Sequence, residues 1–184
     1  MHARPFAAPG TDAMQIAMLL MLSIFPALVI VGALSDVTTM KIPNWISLAL
    51  LAAFFPAALI AGLPFSTVAV NVGVGVGALV IGMVMFALRW IGGGDAKMMA
   101  AAALWLGLDG GTQFLLWTGI TGGLFAVALL QARNYGQAYV GRAPAWVGRL
   151  LEPKGDIPYG VAICAGALAA FPASALAAGF IGNF

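Results

Sequence analysis

The sequence predicts an all-α, polytopic membrane protein of six transmembrane helices, and three observations carry that expectation. Hydrophobic residues make up 62% of the 184-residue chain and charged residues only 8%, against about a quarter in an ordinary soluble domain. The mean hydropathy is +1.03. Six apolar runs follow one another, most of them close to the ~20 residues that cross a ~30 Å hydrocarbon core. One small globule could not keep so much apolar surface from water, whereas a helix satisfies its own backbone hydrogen bonds inside lipid. The pI near 9.0 rests on a net charge of only +2, so it is no sign of nucleic-acid binding.

The chain reads as a single membrane domain, 1–184. Residues 1–13 read as a flexible N-terminal tail. The first run, 14–34, exceeds the roughly 7–15 residues of a secretory signal core and shows no small-x-small cleavage site after it, so it reads as a retained span. Pro43 pushes Ile42 towards extended geometry and lets a helix restart with Pro43 in its first turn, which opens the second run, 44–62. The third, 67–88, contains Gly73, Gly75, Gly77 and Gly82, small residues that allow close helix packing. Gly92, Gly93 and Gly94 permit positive φ and a close backbone approach. They precede the fourth run, 96–108, which is short for a span. A break near Asp109 separates it from the fifth, 112–130.

The connection 131–158 is the only sizeable polar piece, too short and too rich in Gly and Pro for a core of its own. Within it, residues 145–151 read as a short interfacial helix, with Trp146 and Leu150 inward and Arg149 towards lipid head groups. The last run, 159–181, holds Cys164. As a lone cysteine it makes no disulfide within the chain and no metal site, and it reads as a small buried hydrophobe.

Lys and Arg set the expected orientation. Lys41, Arg89, Lys97, Arg133, Arg142, Arg149 and Lys154 fall on one side of a six-span chain, and only Arg4 falls on the other. That bias puts the connections at 35–43, 89–95 and 131–158 in the cytoplasm and both termini outside.

Two acids then stand out. Asp36 follows the first run, in Ser35-Asp36-Val37-Thr38-Thr39-Met40-Lys41-Ile42-Pro43-Asn44. Asp95 begins the fourth, in Gly92-Gly93-Gly94-Asp95-Ala96-Lys97, where a helix N-terminus favours a carboxylate. Ionisable groups at the membrane edge are costly and mark functional sites. Both fall on the cytoplasmic edge, an outcome the count of basic residues did not use. Two adjacent carboxylates that share one proton are the minimum equipment for acid/base hydrolysis. The plain alternative makes Asp36–Lys41 and Asp95–Lys97 ion pairs that fix helix ends. A rival from another class is a small transporter or proton-conducting subunit using the two acids, but carriers hold their acids near the midplane, in broken helices of repeated halves.

Asp36 through Asn44, with Lys41-Ile42-Pro43-Asn44, resembles the first aspartate motif of the type IV prepilin peptidases. Gly92-Gly93-Gly94-Asp95-Ala96-Lys97 resembles their Gly-x-Gly-Asp-x-Lys motif, shared in part by other intramembrane aspartyl proteases. Ile157-Pro158-Tyr159-Gly160-Val161-Ala162-Ile163 resembles the stretch that opens their last helix. The resemblance implies a GxGD-type bundle with Asp36 and Asp95 as the catalytic pair. Gly92, Gly94, Lys97, Lys41, Pro43, Asn44, Pro158, Tyr159 and Gly160 would support them. The first connection lacks the Cys-x-x-Cys insert of the longer members, so the chain resembles the short, peptidase-only branch associated with tight-adherence (Flp-type) pili. Expected substrates are prepilin or pseudopilin precursors in the bacterial inner membrane, without a metal, S-adenosylmethionine or nucleic acid. The connection 131–158 is expected to act as a movable cover over the acids or a contact surface for the leader, or else as a simple tether.

Overall fold

A computed structural model describes residues 9–135, 140–141 and 143–181. Among them the chain forms α1 (Pro9–Thr39), α2 (Asn44–Ile60), α3 (Phe65–Ala87), α4 (Gly93–Tyr135), α5 (Ala145–Leu150), α6 (Gly160–Ala170) and α7 (Ala175–Ile181), with a 3-10 turn over Phe171–Ala173. The expected tail lies outside the described residues as far as residue 8, and α1 already begins at Pro9.

Helix α4, with 43 residues, would be about 64 Å long if straight, about twice the hydrocarbon core of a bilayer. It is not straight. Gly107 breaks it with φ 60° and ψ −160°, a conformation open to glycine and strained for any residue with a Cβ. Segment 93–106 runs antiparallel to α3, with Gly82 against Ala96, Gly75 against Ala100 and Leu104, and Gly107 against the Asn71 side chain. Segment 108–135 then returns along α6, bringing Gly110 to Ala170, Thr118 to Gly166, Gly122 to Ala162 and Arg133 to Asp156. The expected break near Asp109 is therefore one residue, Gly107, and the two arms of the hairpin take the places of the fourth and fifth expected runs. Four helices are long and apolar enough to cross a membrane, counting α4 once, and Asn44–Ile60 is a shorter apolar one.

The core is aromatic at its centre. Trp105 is fully buried and donates its indole N–H to the Leu50 carbonyl at 2.8 Å. Its ring stacks on Phe25 of α1 at 5.2 Å and meets the edge of Phe54 of α2 at 6.0 Å, while Phe25 stacks on Phe171 at 4.7 Å. These contacts tie α1, α2, the first half of α4 and the end of α6 into one body. Of the third-span glycines, Gly75 and Gly82 pack as expected, but Gly73 and Gly77 face open space on the other side of α3.

Candidate active site

Three turns and a helix start converge on one edge of the bundle. Helix α1 continues to Thr39 rather than stopping at residue 34, so Asp36 lies in its last helical turn. The turn closes with Met40 at φ 55°, the Met40 N–H donating to the Asp36 carbonyl at 2.7 Å, a left-handed helix ending of the kind usually filled by glycine. Hydroxyls of Ser35 and Thr39 donate to the Lys41 carbonyl at 2.9 and 3.1 Å. They stand in for the ladder the chain has just left. Pro43 caps α2 from outside, at φ −61° and ψ 139°, instead of lying in its first turn, because its own fixed φ suits the extended residue before a helix as well as the first one inside.

The glycines at 92–94 work by closeness and not by positive φ. Only Gly62 and Gly107 among the described glycines take positive φ, and the left-handed residue of this connection is Arg89 at 61°. A Cβ on Gly94 would stand 3.0 Å from the Ile42 Cβ, and one on Gly92 would stand 2.9 Å from Asp95 Oδ2. Gly94 thus lets the first connection lie on the start of α4. Gly92 donates its N–H to Asp95 Oδ2 at 3.2 Å.

Asp36 and Asp95 are both buried, 6% and 8% exposed. They share one edge, where Ile42 of the connection after Asp36 packs on Gly94, the neighbour of Asp95. Asp36 Oδ2 accepts the Gly160 N–H at 2.8 Å. Gly160 opens α6, after the buried Pro158 and half-buried Tyr159, and a Cβ there would stand 2.9 Å from Asp36 Cβ. Asp95 Oδ1 is buried with no hydrogen-bond partner. Neither acid forms an ion pair among the described residues. Lys41 is exposed and touches the site through its backbone, and Lys97 donates its ammonium to Asn44 Oδ1 at 2.8 Å instead of reaching Asp95. A helix start sends Lys97 sideways towards α2, a direction its spacing from Asp95 in sequence does not reveal.

Two arginines escaped the sequence reading of the site. Arg149 of α5 does not turn to lipid head groups; its guanidinium donates to the Thr38 carbonyl at 2.7 Å, since the lengthened α1 leaves its final carbonyls without helical partners. Arg133, buried in the last turn of α4, donates to the carbonyls of Leu150 at 2.8 Å and Asp156 at 2.8 Å. Its signal was available, a basic residue at the end of an apolar helix. Trp146, expected to turn inward, is exposed instead.

The model of the type IV leader peptidase family matches residues 23–127, more than half of the chain and inclusive of both aspartates. The chain belongs to this family. It is thus a membrane-embedded protease of the type IV leader peptidase type. No curated protein and no solved structure gives a match. In this leader peptidase the matched stretch ends before α6, and the Gly160–Asp36 hydrogen bond is what joins the unmatched last helix to the acids. No group of three or more His, Cys, Asp or Glu positioned to hold a metal occurs among the described residues.

Proposed function

We propose that Asp36 and Asp95 form an aspartyl dyad that removes the leader peptide from type IV (Flp-like) prepilins or pseudopilins at the cytoplasmic face of the bacterial inner membrane. The observation that carries this reading is the burial of two carboxylates, from separate helices, at one edge of the bundle, with no cation paired to either among the described residues. A structural ion pair explains one buried acid, but two buried acids on one edge, without a counter-charge among the described residues, are a destabilising arrangement kept for chemistry.

In this reading the pair holds one proton, because like charges brought together are not both ionised. The ionised member takes a proton from water as its oxygen attacks the scissile carbonyl carbon, and the protonated member hydrogen-bonds the carbonyl oxygen. The tetrahedral intermediate collapses when a proton passes to the amide nitrogen and the C–N bond breaks. The leader leaves with a new carboxyl group and the pilin with a new amine. The backbone N–H groups of Gly160 and Gly92 hold one oxygen of each acid. Asp95 Oδ1 remains for the shared proton.

Both acids share one edge, unlike the midplane acids expected of a carrier. Asp36→Asn and Asp95→Asn are each expected to abolish cleavage in membranes holding a prepilin, with the amount of inserted protein unchanged. Normal processing by either variant would sink the dyad.

A further inference from the structure

Helices α2 and α3 are joined by a short turn at 61–64 yet scarcely touch one another. The gap between them is a groove of about 500 Å³, floored by Ala100, Ala101 and Leu104 of α4 and walled by Leu48, Leu51 and Phe55 on α2 and Val76 on α3. Small residues make the floor shallow, and the walls are half to three-fifths exposed, from 45% at Leu51 to 61% at Leu48. In a bilayer the groove therefore opens sideways into lipid. One end lies at the level of the acids, because Asn44 and Lys97 line it and Lys97 sits in the same first turns of α4 as Asp95.

The groove is graded. Its polar side chains, Asn44, Ser47 and Lys97, belong to the first turn of α2 and the start of α4, and the remainder is apolar. The Ser47 hydroxyl is buried and has no hydrogen-bond partner. An acyl chain lying there would leave that hydroxyl unsatisfied, at a desolvation cost. A regular helix offers it only side chains and carbonyls that are already paired once, whereas an unwound segment offers free backbone groups. A polypeptide unwound at one end and helical further along meets both requirements. The unwound carbonyls and N–H groups find Ser47, Asn44 and Lys97, and the helical part meets Leu51, Phe55 and Val76.

We propose that this groove seats the substrate polypeptide itself, with the residues next to the scissile bond unwound against Asn44, Ser47 and Lys97 and the apolar segment lying as a helix between α2 and α3. The inference rests on the dyad reading and extends it from chemistry to substrate binding. It gives the short first half of α4 a purpose, since the segment that floors the groove also carries Asp95 in its first turn.

The test uses full-length protein in membranes. Val76→Trp narrows the groove from a lipid-exposed position, so folding is little affected. It is expected to raise KM for a full-length prepilin about tenfold with kcat little changed, the pattern of lost uniform binding. Val127→Trp, equally exposed on the return segment of α4, is expected to leave both unchanged. A photoreactive residue in place of Leu51, in Asp95→Asn protein, is expected to capture the prepilin's apolar segment. Unaltered KM in Val76→Trp, or capture of lipid alone at position 51, overturns the groove. Failure of the dyad is a separate outcome, scored in the same membranes by cleavage with Asp36→Asn, and capture at position 51 is read whether or not cleavage occurs.

Discussion

At the scale of single residues, the acids are positioned by the glycines opposite them. Asp36 reaches the N–H of Gly160 only because no side chain stands there, and a methyl group at 160 would press on Asp36 Cβ and Oδ2, both at 2.9 Å. Alanine is a better helix former than glycine by up to ~1 kcal/mol, so Gly160→Ala should strengthen α6 as a helix while displacing the carboxylate. Its expected effect is a loss of cleavage of order 100-fold, the scale of a roughly 1 Å misplacement of a reacting group, with membrane insertion intact. Gly73→Ala is the control, since nothing lies within 4 Å of a Cβ there, and it should cleave at the normal rate. Wild-type turnover by Gly160→Ala would detach α6 from the chemistry. The sequence showed where both acids lie and that residues 92–94 make a close approach. It could not show that Gly160 faces Asp36, because that pairing depends on how the last helix packs against the first. Lys97 shows the same limit in reverse, for proximity in sequence suggested Asp95 and the fold delivered Asn44.

At the scale of elements, the connection after α4 is fastened twice at the C-terminal end of α5. Arg133 holds the carbonyls of Leu150 and Asp156 from a buried position, and Arg149 holds the end of α1 at Thr38 from an exposed one. The two fastenings differ in strength for that reason. Removing Arg133 takes away two hydrogen bonds made by a buried guanidinium, about 1.5–3 kcal/mol each, whereas Thr38 freed of Arg149 can turn to solvent. Arg149→Ala is accordingly expected to speed proteolytic cutting within 143–158 severalfold with normal insertion, and Arg149→Lys to restore part of the protection. Unchanged cutting in Arg149→Ala would show that α5 is held by other contacts. The short helix itself was legible from its pattern of Trp146, Leu150 and Arg149. The aim of Arg149 was not, because the outward reading assumed that α1 ended at residue 34. Helix α1 instead winds on through Ser35 to Thr39, with the Thr38 and Thr39 hydroxyls bonded back to carbonyls of the preceding turn, and only that extension offers Arg149 a helix end to cap.

At the scale of the whole molecule, alternation of six passes follows from hydropathy alone, and the structure alters chiefly how the passes are joined. Composition cannot distinguish a loop at Asp109 from a reversal at Gly107, since both place glycine and a polar residue at the same depth; Asn71 against Gly107 settles it through packing. The orientation of the bundle rests on seven basic residues against one, and it decides on which side of the membrane a leader could be cut. The bundle places Glu152 with the acids and Asp109 at the opposite end, and both side chains are exposed. Cys164, the one cysteine, is buried, so single-cysteine variants start from a low background. Glu152→Cys in intact cells should resist a membrane-impermeant maleimide and react once the membrane is opened, whereas Asp109→Cys should react from outside without lysis. The reverse pattern would turn the acids towards the exterior, where no cytoplasmic leader could reach them, and the count of lysines and arginines would have misled in a protein whose catalytic geometry was otherwise intact.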